Sequence, residues 1–226
     1  MTVFTRLPHF LVSVCALALA ACAGDDATTE PAAPGADGGI LACVGPTATE
    51  LAAALALPAT VECPICEGSL PPSVAMEDVN PASCAAGQTY TVGACDGRPT
   101  VVALLAAWCA FCQSQALRME EIRAEFEQQG IEVNFVIINA DNATEQIGEL
   151  ISRTRVPILQ DLESIGAWDL FTGAKDDIYI YDAQLRLVDF LSPRGDKPYN
   201  LGNPEGYAYL VDAIERAVES SDSAAP

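Results

Sequence analysis

The stretch Trp108-Cys109-Ala110-Phe111-Cys112 has residue types and spacing that can do chemistry. Two cysteines three apart on the first turn of a helix can close a disulfide across that turn. The first sulfur then lies near the helix N-terminus, where unpaired N–H groups and the macrodipole favour a thiolate. The second lies on the inward face and can resolve a mixed disulfide from within. Cys109 is therefore the expected nucleophile and Cys112 the resolving thiol, with Trp108 as an active-site neighbour. The exchange needs no imidazole. This suits a chain whose only histidine is His9. That scarcity excludes Ser-His and Cys-His catalytic pairs and imidazole metal ligands from the rest of the chain. No metal and no cofactor is expected.

A bare C-x-x-C also serves zinc ribbons and structural bridges, so the flanking elements decide its reading. Thr100–Ala106 is a continuous apolar run, the mark of a strand buried on both faces. After the motif, Cys112, Ala116, Met119, Ile122 and Phe126 recur at three- and four-residue steps. They define the buried face of a helix reaching Gln129, with Gly130 where a C′ glycine belongs. Ile131–Asn139 reads as a second strand, which completes a βαβ unit. Ala143–Arg153 reads as a helix, Val156–Leu159 as a short strand and Ile165–Leu170 as a helical turn. Ile178–Tyr181 and Leu185–Phe190 form a hairpin. Asn203-Pro204 opens a last helix, with Asn as N-cap and Pro at N1. The order β-α-β-α-β-β-α is that of the thioredoxin fold: an α/β domain with a central mixed sheet flanked by helices.

Residues 98–220 are the expected thioredoxin-like domain and 221–226 a disordered tail. Residues 41–97 form a cysteine-rich N-terminal extension, read as turns apart from a short helix over Thr49–Leu57. Its five cysteines, Cys43, Cys63, Cys66, Cys84 and Cys95, are an odd number, so one is free or bonds elsewhere. Two structural disulfides are expected. The alternatives are a second redox pair at Cys63-Pro64-Ile65-Cys66 and a zinc site made of Cys63, Cys66, Cys84 and Cys95.

Before that, Arg6 and the apolar run Phe10–Ala21 end on Leu19-Ala20-Ala21-Cys22, which resembles the lipobox of bacterial lipoproteins. The resemblance implies a signal peptide over 1–21, lipidation of Cys22 and anchoring of the exported protein to a membrane of the cell envelope. An ordinary secretory signal is the alternative. Residues 22–40, rich in Ala, Gly, Pro, Thr, Asp and Glu, read as a flexible tether. The net charge of −20, or −21 once Arg6 leaves with the signal, argues against nucleic acid, whose binding needs a basic face.

One resemblance is sharper than the fold. Val101-Val102-Ala103-Leu104-Leu105, the Cys109–Cys112 pair with Gln113-Ser114-Gln115-Ala116, and Val156-Pro157-Ile158-Leu159-Gln160 resemble the N-terminal domain of the selenoprotein P family. The most specific segment is Gly173-Ala174-Lys175-Asp176-Asp177-Ile178-Tyr179-Ile180-Tyr181-Asp182. The resemblance implies a thiol/selenol redox unit. Selenocysteine stands at the first motif position of that family, and Cys109 stands there here, so selenium chemistry does not carry over. Thioredoxins also keep a cis-proline beside the dithiol, just before the terminal hairpin. Asp176 or Asp177 holds that place here; Pro157 lies a strand and a turn too early for it but stays in the candidate set. A carboxylate at Asp176 would raise the pKa of Cys109.

The expected activity is extracytoplasmic thiol–disulfide exchange with protein or small-molecule thiols. The alternatives are a thiol peroxidase using Cys109, lacking a polar partner beside the thiol, and a non-catalytic surface lipoprotein with an inert disulfide.

Overall fold

The computed structural model describes residues 43–223; the expected signal peptide, the tether and Cys22 lie outside them. The elements are α1 (Ala48–Ala52), β1 (Met76–Asp78), β2 (Thr89–Tyr90), β3 (Thr100–Leu105), α2 (Ala110–Gln128) and β4 (Asn134–Asn139). They continue with α3 (Gly148–Ile151), β5 (Ile158–Gln160), α4 (Ala167–Leu170), β6 (Ile178–Tyr181), β7 (Leu187–Leu191) and α5 (Pro204–Ser223). Among the described residues the strands form one seven-stranded sheet of order β2-β1-β5-β4-β3-β6-β7. β3, β4 and β5 run parallel, and β6 and β7 return antiparallel beside β3.

Every residue of β3 and β4 is buried, as the unbroken apolar runs require. The two-residue period sorts them into two cores. Val101, Ala103 and Leu105 pack with Met119, Ile122 and Phe126 of α2 and with Leu210 and Ile214 of α5. Val102 and Leu104 pack on the other side with Tyr179, Tyr181, Phe171, Met76 and Val92. All five residues predicted for the inner face of α2 are buried, and Arg123 joins them, paired with Glu120 and Glu127. The helix closes on a Schellman motif: Gly130 N–H reaches Glu127 O (3.0 Å) and Ile131 N–H reaches Phe126 O (3.0 Å). Gly130 has φ +73°, a region open to glycine at little cost.

The structure corrects the sequence reading in three places. First, the extension is not a run of turns. β1 and β2 form a hairpin that lengthens the sheet beyond β5. These strands are too short to show alternation, and a buried acid organises them. Asp78 Oδ1 accepts N–H groups of Asn80 (3.1 Å) and Ile158 (3.2 Å), and its Oδ2 accepts the Tyr90 hydroxyl (3.0 Å). The helix expected over Thr49–Leu57 stops at Ala52, because Leu55 N–H leaves it for Gly93 O (2.9 Å). Second, Ala143–Arg153 is not a continuous helix. A 3₁₀ turn spans Asp141–Gln146, followed by the single turn α3. Only Ala143 and Leu150 are buried there, too few for an apolar stripe. Third, the expected tail starts too early, since α5 continues to Ser223. Ser221 Oγ holds it down by accepting Ala183 N–H (2.9 Å).

Candidate active site

β3 delivers the chain to Cys109, which is the N-cap of α2. Its Sγ accepts the N–H of Cys112 at 3.4 Å, the bond a serine or aspartate oxygen would make at such a cap. Cys109 is partly exposed, while Cys112 is fully buried one turn on. Both are free thiols. Trp108 is 51% exposed beside them and donates Nε1–H to Asn142 Oδ1 (3.0 Å).

The segment before β6 closes the site. Asp176 N–H bonds Leu104 O (2.8 Å) and Leu104 N–H bonds Asp177 O (2.9 Å), so this segment is stitched to the end of β3. Asp176 sits in the left-handed region at φ +71°, sparse for a residue with a side chain. Its Oδ1 accepts the Cys112 thiol at 3.0 Å. Lys175 forms an ion pair with Asp176, approaches Cys109 Sγ at 3.5 Å and stands 5.9 Å above the Phe111 ring.

The two thiols are driven apart. Burial pushes Cys109 up, but the Cys112 N–H and the Lys175 ammonium outweigh it and hold the thiol below its usual range. Burial pushes Cys112 well up, and the Asp176 carboxylate adds to the shift. This corrects the expectation that Asp176 would raise Cys109. The carboxylate bonds the inner sulfur, and its neighbour brings a cation to the outer one. Lys175 is not among the residues expected from the sequence, because it lies 66 positions from Cys109 and no local spacing joins them. Its position next to Asp176 was the signal that could have found it.

Asp177 is buried with its Oδ2 turned to Ala174 N–H (2.7 Å) and Arg194 (3.0 Å). Its role is to hold the turn. Pro157 is not a neighbour of the dithiol. It stands at the N-terminal end of β5, against Gly45, where a Cβ would lie 2.3 Å from its ring. The dithiol follows the opposite end of parallel β3.

The extension holds two disulfides, Cys43–Cys84 and Cys63–Cys66, with Cys95 free. The zinc alternative is thereby dissolved: two of its four sulfurs are bonded to each other and a third to Cys43. Burial pushes the Cys95 thiol up to about 12, which leaves it inert.

The model of the selenoprotein P N-terminal region matches residues 66–221. Selenoprotein P of Mus musculus is 32% identical over 131 residues, covering 54% of this chain and 32% of the relative. That of Homo sapiens is 30% identical over 131 residues, with the same shares. The chain thus spans about a third of the length of these relatives. Among solved structures, the thioredoxin domain of a Bacteroides vulgatus thiol-disulfide oxidoreductase superposes with TM-score 0.50 at 15% identity, covering 66% of this chain and 98% of that one. An uncharacterised Geobacillus kaustophilus protein gives TM-score 0.51 at 19% identity, covering 67% and 83%. The fold is thioredoxin-like, with a mixed sheet flanked by helices and a cysteine-bearing extension.

Proposed function

Because this chain belongs to the selenoprotein P N-terminal region family, we propose that it is a thiol–disulfide oxidoreductase working through sulfur alone. One observation carries the reading: Cys109 Sγ meets both a helix N–H and the Lys175 ammonium, while Cys112 waits behind it on a carboxylate. The Cys109 thiolate attacks a substrate disulfide, forming a mixed disulfide and releasing the first substrate thiolate. Cys112 gives its proton to Asp176 and attacks Cys109 Sγ. The second substrate sulfur leaves as a thiolate and takes the proton from Asp176, and Cys109–Cys112 closes as a disulfide. The same groups run the reverse exchange.

Trapping tests it. Cys112→Ser should accumulate mixed disulfides visible on non-reducing gels, and Cys109→Ser should form none and lose exchange activity. A Cys109→Ser chain as active as the wild type would overturn the reading and leave a non-catalytic scaffold.

Peroxide reduction by Cys109 is the second reading. Lys175 favours it by supplying the polar partner beside the thiol. Stopped-flow oxidation of the reduced protein by hydrogen peroxide tests it; a rate no faster than a free thiol excludes it.

The compartment is proposed from residues 6–22: an exported protein anchored through acylated Cys22. Fatty-acid labelling lost on Cys22→Ser is the expected result. Labelling that persists would overturn the anchor at Cys22.

A further inference from the structure

The Cys63–Cys66 disulfide lies outside the site described above. It closes a sequence separation of only 3, against 41 for Cys43–Cys84. A bridge across so short a loop removes little entropy from the unfolded chain. The segment is also held without it. Pro64 is buried, Ser69 Oγ–H bonds Cys63 O (2.6 Å), and Ser69 N–H bonds Cys66 O (3.0 Å). Gly68 N–H reaches Leu187 O (2.7 Å) and Leu187 N–H reaches Ser69 O (2.8 Å), docking the segment on β7. The bond can open without loss of the fold around it.

Its surroundings suit exchange. Cys66 is exposed and Cys63 half-buried, so an incoming thiolate meets Cys66 first. Ile65 between them is 45% exposed. It forms the rim of a cavity of about 600 Å³ along β7, whose other walls include Leu187, Phe190, Arg194 and Lys197. The exposed Ile65 and the apolar Leu187 and Phe190 walls offer the chain around a donor cysteine contacts that a small thiol lacks.

We propose that Cys63–Cys66 is a second thiol–disulfide exchange site, taking electrons from an external protein dithiol. One donor thiolate attacks Cys66 Sγ, the S–S bond breaks, and Cys63 leaves as a thiolate that takes a proton. The second donor thiolate attacks the donor's bonded sulfur and releases Cys66. The donor becomes a disulfide, and Cys63 and Cys66 become thiols, a two-electron, two-proton transfer. The cavity receives the chain around the donor cysteine.

The test uses the full chain carrying Cys109→Ser and Cys112→Ser, so that the first dithiol contributes nothing. Dithiothreitol is the probe, with timed alkylation and mass spectrometry as the readout. Cys63–Cys66 should be reduced at least about tenfold faster than Cys43–Cys84 in the same molecules, with circular dichroism unchanged. The same chain should catalyse transfer from dithiothreitol to a disulfide-bonded peptide, and adding Cys63→Ser and Cys66→Ser should abolish that transfer. Equal reduction rates, melting on reduction, or no catalysed transfer would each overturn the proposal and leave a structural clip. None of these outcomes bears on Cys109 and Cys112.

Discussion

A single side chain sets the electronics of the dithiol. Lys175 is the cation nearest Cys109, and its ion pair with Asp176 ties it to the inner thiol as well. Lys175→Met should therefore raise the pKa of Cys109, moving the inflection of its alkylation rate toward the ordinary thiol range near 9.0. An unmoved inflection would assign the lowered value to the helix N-terminus alone. Asp176 acts on the other sulfur. Its charge disfavours the Cys112 thiolate, and its Oδ1 accepts that thiol's proton. Asp176→Asn should lower the Cys112 pKa yet slow resolution of the mixed disulfide by on the order of 10²-fold, the usual worth of a positioned base. Quenched-flow trapping reads both effects. Resolution at the wild-type rate would restrict Asp176 to shaping the turn.

Among the elements, β3, α2, β4, the β6–β7 hairpin and α5 were legible because each carries an unbroken apolar run, an apolar period or a cap signal. The helix expected over Ala143–Arg153 failed for the opposite reason: two buried residues do not fix a phase. β1 and β2 could not be read from periodicity at all, since their register rests on the buried Asp78 carboxylate rather than on alternating apolar residues. At the site, the cysteines and the acid next to the hairpin were readable from spacing; the lysine stood beside that acid in the sequence, but its approach to Cys109 depends on the turn at Asp176, φ +71°. A tertiary contact also sets the end of α1. A Cβ on Gly93 would fall 2.2 Å from Leu55 O, a backbone atom that cannot step aside. Gly93→Ala should cost about 1–3 kcal/mol by overpacking, read from urea denaturation. A loss under about 0.5 kcal/mol would mean the extension is free to shift there.

For the molecule as a whole, the extension belongs to the domain it precedes. The Cys43–Cys84 bridge closes a loop of about forty residues, worth about 2–4 kcal/mol of unfolding free energy. Cys43→Ser with Cys84→Ser should lower Tm by roughly 5–15 °C, as about 2–4 °C follows each kcal/mol in a domain of this size. A smaller shift would mean the loop keeps its order without the bridge. The same extension touches both flanks of the sheet: β1 pairs with β5, and Gly68 and Ser69 pair with Leu187 of edge strand β7. This has a consequence for biogenesis. Residues 68–90 leave the ribosome about 80 to 120 residues before their partners at 158–160 and 187. Until then the growing sheet has no closed border, and its apolar strands are open to pairing with other chains. The sheet can close its β7 flank only after Leu187 has emerged. Delayed translation of the segment after Gln160 should raise aggregation more than the same delay before Thr100.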